Sequence, residues 1–134
     1  MPAGYSGTPL AKKLGFGDGA VVYAAGMPVS VKAEILAGAK PKFTAKPAKG
    51  QGAAHVFSIE AKALAAELKR LRALLAPDGM VWVSWPKRSA KVETDITEDV
   101  VRAIALPLGF VDVKVCAVDQ TWSGLKLVIR KALR

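Results

Sequence analysis

Cysteine and histidine are nearly absent from this chain of 134 residues, which contains one of each, Cys116 and His55. One cysteine cannot form an intrachain disulfide, and the pair cannot build a Cys/His zinc cluster or a site that needs two histidines. Acidic residues are also few, because 11 Asp and Glu stand against 20 Lys and Arg. Only Asp95, Glu98 and Asp99 cluster, at the predicted start of a helix, where acids interact favourably with the helix dipole. We therefore expect no metal site.

Long apolar runs are missing as well. No stretch of 18 apolar residues occurs, and residues 1–14 lack the apolar core of a signal peptide. We expect a soluble cytosolic protein that does not contact membranes. Its length, with 51% hydrophobic and 23% charged residues, fits one compact domain over residues 1–134. The net charge of +9 favours an acidic protein or a nucleic acid as partner.

Predicted helices and strands alternate along the chain. They are a helix from Thr8 to Gly15, a strand at 20–24, a helix at about 28–36, a strand at 55–59, a helix at 60–76, a strand at 80–85, a helix from Thr97 to Gly109, and strands at 110–118 and 125–129. Residues 37–52 are rich in lysine, proline and glycine and predict an exposed basic loop, with one weak edge strand near Phe43. Pro107 is expected to shorten or kink the last helix. The order predicts an α/β fold of three layers, with a mostly parallel sheet that a C-terminal antiparallel β-hairpin completes.

This order resembles the Rossmann-like fold of S-adenosylmethionine-dependent methyltransferases, in which a final hairpin supplies an antiparallel seventh strand. Residues 74–85 (LLAPDGMVWVSW) resemble the segment in which two leucines and a Pro-x-Gly turn lead into the fifth strand. Residues 108–131 resemble the ending of that fold, a Gly-Phe pair followed by strand, turn and strand. The resemblance covers the C-terminal half of the chain and implies the three-layer fold.

A second resemblance spans most of the chain outside its lysine-rich middle. A family of short bacterial proteins, catalogued as domain of unknown function three-zero-five-two, has a Gly-Tyr-Ser opening with Leu-x-x-Lys-Leu-Gly, a Trp-Val-x-x-Pro-Lys strand end and a Thr-Trp-Ser-Gly-Leu-Lys hairpin. The matching residues here are Gly4, Tyr5, Ser6, Leu10, Lys13, Leu14 and Gly15, then Trp82, Val83, Pro86 and Lys87, then 121–126. This resemblance implies a fold and no established activity.

Two features that hold S-adenosylmethionine in the methyltransferase fold are missing. The first predicted strand is followed by residues 25–28 (AGMP), with one glycine where that pattern has three, and with a proline that removes an amide donor. The stretch expected to end the second strand carries Lys42, Lys46 and Lys49 in place of the acid that would accept the ribose hydroxyls. These cations would also repel the sulfonium. We therefore expect no cofactor, S-adenosylmethionine included.

Ligands of open α/β sheets bind beyond the carboxyl ends of the strands, so residues predicted there are the candidate ligand-binding residues. They are Gly26, Glu60, Trp85, Lys87, Arg88, Asp119 and Trp122. Two indoles beside two cations could stack on a nucleotide base and pair with its phosphate. The alternative is that Trp85 and Trp122 close the end of the sheet by packing on each other.

A second candidate site precedes the first helix. Ser6, Gly7 and Thr8 could offer backbone amides to an anion, with Lys12 behind them, although the spacing of a Walker phosphate loop is absent. The alternative is a flexible N-terminal cap.

Nucleophilic catalysis has weak support in this sequence. Cys116 lies in an apolar strand, where a thiol is expected to be buried, high in pKa and inert. A nucleophile pair of Cys116 with His55, or a serine site around His55, would need an activated nucleophile, and no serine stands in a Gly-x-Ser-x-Gly elbow.

The sequence favours a noncatalytic methyltransferase-like domain that binds a protein partner or a small anion at the carboxyl ends of its strands. One alternative is a nucleic-acid or nucleotide binder that uses its basic rim and the loop at 37–52. The other is an enzyme, either a divergent S-adenosylmethionine-dependent methyltransferase or a nucleotide-using catalyst with Lys87 and Asp119. An exposed edge strand would also permit a dimer.

Overall fold

The computed structural model describes residues 7–134 of the chain. In chain order the elements are α1 (Leu10–Leu14), β1 (Val21–Ala25), α2 (Val29–Gly38), β2 (Lys42–Thr44), β3 (Gln51–Phe57), α3 (Ala61–Leu74), β4 (Leu75–Pro86), α4 (Glu98–Ala105), β5 (Phe110–Ala117) and β6 (Trp122–Ile129). Short 3-10 turns lie at Arg88–Ala90, Leu106–Leu108 and Lys131–Leu133.

The six strands form one sheet in the order β2-β1-β3-β4-β6-β5. β1 pairs in parallel with both β2 and β3, β3 pairs in parallel with β4, and β6 runs antiparallel to β4 and β5. The α/β fold with a mostly parallel sheet and a C-terminal antiparallel hairpin is therefore confirmed. The carboxyl ends of β1 to β5 meet at one border of the sheet, which we call the carboxyl edge. The strand order reverses between β1 and β3, the place where such sheets bind ligands.

Each face of the sheet has its own apolar core. On one face, which we call the α1/α2 face, helix residues such as Leu14 and Ile35 pack with Val22 and Trp82 of the strands. On the other, the α3/α4 face, Leu68 and the other α3 leucines pack with strand residues that alternate with the first set along β3 and β4. This alternation follows from the strand geometry, in which successive side chains point to opposite faces.

Local sequence signals set several helix ends. Gly15 ends α1 in the left-handed conformation, with φ at 76°. The Thr97 side chain accepts a hydrogen bond from the backbone N–H of Val100 and caps α4 as predicted, and Pro107 turns the end of that helix into a 3-10 turn. The predicted cap of α1 was wrong, because Pro9 and not Thr8 holds the N-cap position.

Residues 37–52 are more ordered than the predicted loop. α2 continues to Gly38, β3 begins at Gln51, and β2 between them pairs in parallel with β1, which confirms the edge strand near Phe43. β3 was therefore predicted four residues too late. The start of β3 was missed because Gly52 and the two alanines that follow it have weak strand propensity.

Two further strand boundaries differ from the prediction. β4 starts at Leu75, which pairs with Gln51 before the register shifts, so the predicted Pro77-Asp78-Gly79 turn is an irregular segment within the strand. β6 starts at Trp122 and not at Leu125, because it pairs with β4 as far as Pro86. Trp122 is consequently a strand residue whose side chain has a fixed face.

The indole of Trp82 ties α1 to the sheet. Trp82 is fully buried, and its Nε1–H donates a 2.7 Å hydrogen bond to the carbonyl oxygen of Leu14, at the end of α1. A helix of 5 residues has little stability of its own. Its position on the sheet therefore depends on this bond and on its buried leucines.

We expect Trp82→Phe to lower the free energy of unfolding by about 2–4 kcal/mol, because it leaves a cavity and a buried carbonyl without its donor. Urea denaturation measures this loss. Trp85→Phe is the matched control, since it removes the same atoms from the other face without touching α1. Equal losses in both variants would show that the bond to Leu14 contributes nothing beyond packing.

Candidate functional site

Two clefts open at the carboxyl edge, one on each side of the place where the strand order reverses. The first, about 390 Å³, lies at the ends of β1 and β2 and is lined by residues that include Gly26, Lys32 and Thr44. The second, about 470 Å³, lies at the end of β3 and is lined by Ile59, Glu60, Glu93, Thr94 and Asp95. We call them the β1/β2 cleft and the β3 cleft.

Gly26 lies directly after β1, and its conformation is set by contact with β3. Its φ is 66°, a left-handed value that favours glycine, and a Cβ atom at this position would lie 2.9 Å from the carbonyl oxygen of Phe57. The backbones of β1 and β3 therefore meet between the two clefts. This packing accounts for the glycine without any ligand.

The β1/β2 cleft is basic among the described residues that line it. Its charged side chain is Lys32 of α2, whose ammonium lies 5.7 Å from the ring centroid of Phe43 on β2. The last residue of β2 is Thr44, whose hydroxyl donates to the carbonyl of Lys46. Three lysines were expected at the end of this strand: Lys46 follows its last residue by two positions, but Lys42 begins the strand and Lys49 lies just before β3.

The β3 cleft is acidic, and one of its carboxylates is structural. An Asp95 oxygen accepts a 2.7 Å hydrogen bond from the backbone N–H of Ala61 and so caps the start of α3. The predicted role of Asp95 at the start of α4 was wrong. Thr94 fixes the same loop by donating to the carbonyl of Ile59, and Glu60 is exposed beside it.

The two candidate tryptophans lie on opposite faces. Trp122 is opposite Pro86 in the β4–β6 ladder, so its side chain shares a face with Pro86 and not with Trp85. Trp85 is buried in the α3/α4 core, whereas Trp122 is half-buried and meets the ring of Phe57 edge-on, with centroids 5.1 Å apart. Neither predicted arrangement, a joint stacking site or mutual packing, is present.

The remaining predicted residues of the carboxyl edge line neither cleft. The carboxylate of Asp119 accepts from the backbone N–H groups of Thr121 and Trp122 and holds the turn of the hairpin. The backbone N–H of Lys87 donates to the carbonyl of Thr121, and Arg88 is exposed in a 3-10 turn. Of the seven predicted residues, Gly26 and Glu60 line the clefts.

Only part of the predicted anion site before α1 lies within the described residues. Ser6 lies outside the described residues, Gly7 is exposed with φ at 94°, and Thr8 is half-buried. Lys12 lines a separate cleft of about 420 Å³ between α1 and α2. Because α1 has 5 residues, its aligned peptide dipoles form little of the positive field that an anion site requires.

A histidine–serine pair that sequence reasoning missed lies inside the α1/α2 face. His55 Nε2 and Ser84 Oγ are 2.8 Å apart on neighbouring strands, and both residues are 0% exposed. Burial lowers the pKa of His55 to about 3, and His55 Nδ1 has no hydrogen-bond partner among the described residues. No acid of residues 7–134 orients the imidazole, so this neutral, enclosed pair is a core contact. The two residues are brought together by the register of β3 against β4, which no pattern in the sequence indicates.

Cys116 is half-buried, and not fully buried as expected. Burial raises the pKa of its thiol, while the ammonium groups of Lys13, Lys114 and Lys87 act in the opposite direction. Its side chain packs at the border of the α1/α2 core, and the bond of His55 goes to Ser84. No nucleophile pair of Cys116 with His55 is formed.

Residues 7–134 contain neither a metal-ligand cluster nor a membrane-spanning helix. Within that range no three His, Cys, Asp or Glu side chains are grouped so that they could hold a metal ion. In the same part of the chain, no helix has the length and apolar character needed to span a bilayer.

Comparison with solved structures shows that the fold is that of S-adenosylmethionine-dependent methyltransferases. The chain is similar to the Burkholderia thailandensis 1,6-didemethyltoxoflavin N1-methyltransferase, with 18% identity over 91% of this chain and 77% of that one, at a TM-score of 0.62. It is also similar to an Aquifex aeolicus methyltransferase, with 14% identity, 90% and 87% coverage and a TM-score of 0.63. The magnesium protoporphyrin IX methyltransferase of Synechocystis PCC 6803 gives 14% identity, 90% and 74% coverage and a TM-score of 0.58.

Sequence comparison assigns this chain to no family. No family model and no curated protein matches the chain, so the resemblance to domain of unknown function three-zero-five-two stays a prediction. The Burkholderia structure contains S-adenosylhomocysteine and the Synechocystis structure contains S-adenosylmethionine. These neighbours lend no support to the expectation that this chain has no cofactor.

The described residues of the β1/β2 cleft fit S-adenosylmethionine poorly. The donor carries a sulfonium cation and ribose hydroxyls, yet the β1/β2 cleft offers the Lys32 ammonium and, at the end of β2, the neutral hydroxyl of Thr44 in place of a carboxylate that would accept from both ribose hydroxyls. The glycine that follows β1 packs against Phe57. A molecule that reached both clefts would have to pass over this contact.

We expect Gly26→Ala to lower the free energy of unfolding by about 1–3 kcal/mol, because the new methyl group meets a backbone oxygen at a left-handed φ. Gly52→Ala is the control, since a Cβ there has nothing within 4 Å. Chemical denaturation of both variants tests the packing role of Gly26. An unchanged stability of Gly26→Ala would contradict it.

The buried imidazole predicts a pH dependence of stability. Because the pKa of His55 falls from 6.5 in the unfolded chain to about 3 in the folded one, only the unfolded chain binds a proton between these values. Stability should therefore be complete above about pH 6.5 and fall with acidification toward pH 3. Urea titrations of the parent and of His55→Phe should show a flatter pH profile in the variant. Parallel profiles would contradict the assignment.

Proposed function

We propose that this protein is a noncatalytic domain with a methyltransferase-like fold that binds a small anionic ligand in the β1/β2 cleft. The observation that carries the proposal is the charge of that cleft, in which Lys32 is the charged side chain among the described lining residues. An anion there would gain a charge-assisted contact, whereas a sulfonium would face a like charge.

The position and size of the cleft support a ligand site. It lies at the carboxyl edge beside the reversal of strand order, where open α/β sheets bind ligands, and its volume of about 390 Å³ suits a small molecule. Phe43 contributes an aromatic ring beside the ammonium of Lys32, and residues around Gly26 add backbone groups. A cleft of this size favours a small anion over the protein partner that the sequence also allowed.

A noncatalytic role is supported by four polar side chains that already have structural partners. Asp95 caps α3, Asp119 holds a turn, and His55 and Ser84 are enclosed in the core. Groups committed to structure in this way are not available to transfer protons or to attack a substrate.

A divergent S-adenosylmethionine-dependent methyltransferase is the second candidate function. The acidic lining of the β3 cleft favours it, because Glu60, Glu93 and Asp95 would attract a sulfonium cation. The structural neighbours that contain the donor or its product are consistent with this alternative.

Calorimetric titration with pyrophosphate, adenosine monophosphate, S-adenosylmethionine and S-adenosylhomocysteine separates the two functions. We expect one or both phosphate probes to bind and to raise the melting temperature, and Lys32→Ala to weaken that binding roughly tenfold through loss of a charge-assisted contact. Lys62→Ala, an exposed lysine of α3, is the control and should change nothing.

Saturable binding of S-adenosylmethionine that survives Lys32→Ala, with no binding of the phosphate probes, would overturn the proposal and favour the methyltransferase. If Lys32→Ala and Lys62→Ala weakened binding of the phosphate probes equally, that binding would depend on the net charge of the protein and not on the β1/β2 cleft, which would also overturn the proposal.

A further inference from the structure

β5 lies at the border of the sheet, and we call its outer side the β5 edge. Among the strands of residues 7–134, its pairing partner is β6. The outer side of such a strand presents backbone N–H and C=O groups to which another extended chain can bind. Two side chains of β5, those of Val113 and Val115, are each 53% exposed. An edge that carries exposed β-branched residues is a surface on which a further strand can form.

The hydrogen bonds of the hairpin show which backbone groups of β5 point outward. The N–H of Val118 donates to the carbonyl of Trp122, so these residues form a hydrogen-bonded pair. Hydrogen-bonded and non-hydrogen-bonded pairs alternate along an antiparallel ladder. Val115, three residues before Val118, is therefore in a non-hydrogen-bonded pair and directs its N–H and C=O away from β6. The next outward carbonyl, that of Ala117, accepts a 2.9 Å hydrogen bond from the ammonium of Lys13. The open part of the edge is thus centred on Val115.

The two faces of β5 differ in chemistry at this point. Val115 is opposite the buried Leu125 in the β5–β6 ladder, so its side chain lies on the α3/α4 face. Lys114 is opposite Lys126, and both lie on the α1/α2 face because successive strand residues alternate. A strand added to this edge would place its side chains alternately on an apolar side, beside Val115, and on a basic side, beside Lys114.

Lys114 and Lys126 form a like-charge pair, which works against stability. No side-chain ion pair of residues 7–134 includes either lysine. A lysine on an edge strand, and a bulge such as the one at Val113, hinder unselective pairing with other chains. This protection accounts for Lys114, but Lys126 lies on the inner strand β6.

The charge of the pair selects the kind of strand that fits. An acidic side chain on the α1/α2 face of an added strand would relieve the repulsion between the two lysines. A second copy of this chain, paired through its own β5, would instead bring another Lys114 and Lys126 to the same place, at a net charge of +9 for each copy. The observations therefore favour an acidic partner over a dimer.

We propose that the β5 edge binds an extended segment of a partner protein in which acidic residues alternate with β-branched apolar residues. The backbone of the segment bonds to the outward N–H and C=O of Val115 and adds a strand to the sheet. Its apolar side chains cover Val115 on the α3/α4 face, and its carboxylates lie beside Lys114 on the α1/α2 face. This surface is separate from the β1/β2 cleft, because β2 and β5 are at opposite borders of the sheet.

Fluorescence anisotropy with three labelled hexapeptides tests the proposal. The first alternates glutamate and valine, the second alternates lysine and valine, and the third has three glutamates followed by three valines. We expect the parent protein to bind the alternating glutamate peptide and to bind the other two roughly tenfold more weakly, because only the first places carboxylates on one face and valines on the other. Hydrogen exchange at the Val115 N–H should slow when that peptide binds.

Two variants separate the backbone contribution from the charge. Val115→Pro removes an N–H that points away from β6, and it should weaken binding of the alternating glutamate peptide roughly tenfold. Lys114→Glu should weaken the same binding to a similar extent and should gain binding of the alternating lysine peptide. Lys62→Glu makes the same charge change at an exposed position on α3 and should behave like the parent. If Val115→Pro does not fold, as circular dichroism would show, the exchange of peptide preference by Lys114→Glu decides the test.

Equal weakening by Lys114→Glu and Lys62→Glu would overturn the proposal, because binding would then follow net charge. So would unchanged binding by a folded Val115→Pro variant, equal affinity for the two glutamate peptides, or a parent protein that binds none of the three. Sedimentation velocity of the parent alone tests the other occupant. A concentration-dependent dimer that Val115→Pro abolishes would also overturn the proposal and assign the β5 edge to a second copy of this chain.

Discussion

The backbone of β1 touches the backbone of β3 where Gly26 faces the carbonyl oxygen of Phe57, and the rest of the carboxyl edge is arranged around this contact. The two strands pair in parallel up to Ala25 and Val56, at the reversal of strand order. Glycine is required at this point because its φ is left-handed and because a side chain would collide with β3. The contact separates the edge into two clefts of opposite charge, a basic one and an acidic one.

The charge of the molecule is organised by face. Arg70 of α3 and Arg102 of α4 are paired with nearby acids on the α3/α4 face. On the α1/α2 face, Lys114 and Lys126 lie directly opposite each other in the β5–β6 ladder. Ion pairs therefore lie on the α3/α4 face, whereas a like-charge pair and the basic β1/β2 cleft lie on the other.

Much of the fold could be predicted because its signals are local. The leucine period of α3, the Thr97 cap of α4 and the hairpin before the C-terminus all depend on residues close together in sequence. β4 was harder, because Pro77 to Gly79 is a turn sequence that the structure accommodates within a strand. Pairing of Leu75 with Gln51 is a tertiary contact, and no local pattern encodes it.

The candidate site was harder to predict than the fold, for a geometric reason. The face to which Trp122 points depends on where β6 begins, and a start three residues earlier than predicted fixes its side chain opposite Pro86. The position of Asp95 in the sequence predicts a cap for α4, the helix that follows it. In the structure its carboxylate caps α3 instead, by accepting from the N–H of Ala61, which lies 34 residues earlier in the sequence. The His55–Ser84 bond needs the register of two strands. Such pairings arise from the packed fold and are absent from any local window.

The proposed function requires that the β1/β2 cleft accept an anion and not a sulfonium cation, and amide chemical shifts of isotope-labelled protein measure this residue by residue. We predict that pyrophosphate shifts the amide signals of Gly26, Lys32 and Thr44 saturably, while S-adenosylmethionine at the same concentrations leaves them in place. If S-adenosylmethionine caused saturable shifts of the amide signals of Gly26 and Glu60, and pyrophosphate caused none, the result would contradict anion binding in the β1/β2 cleft.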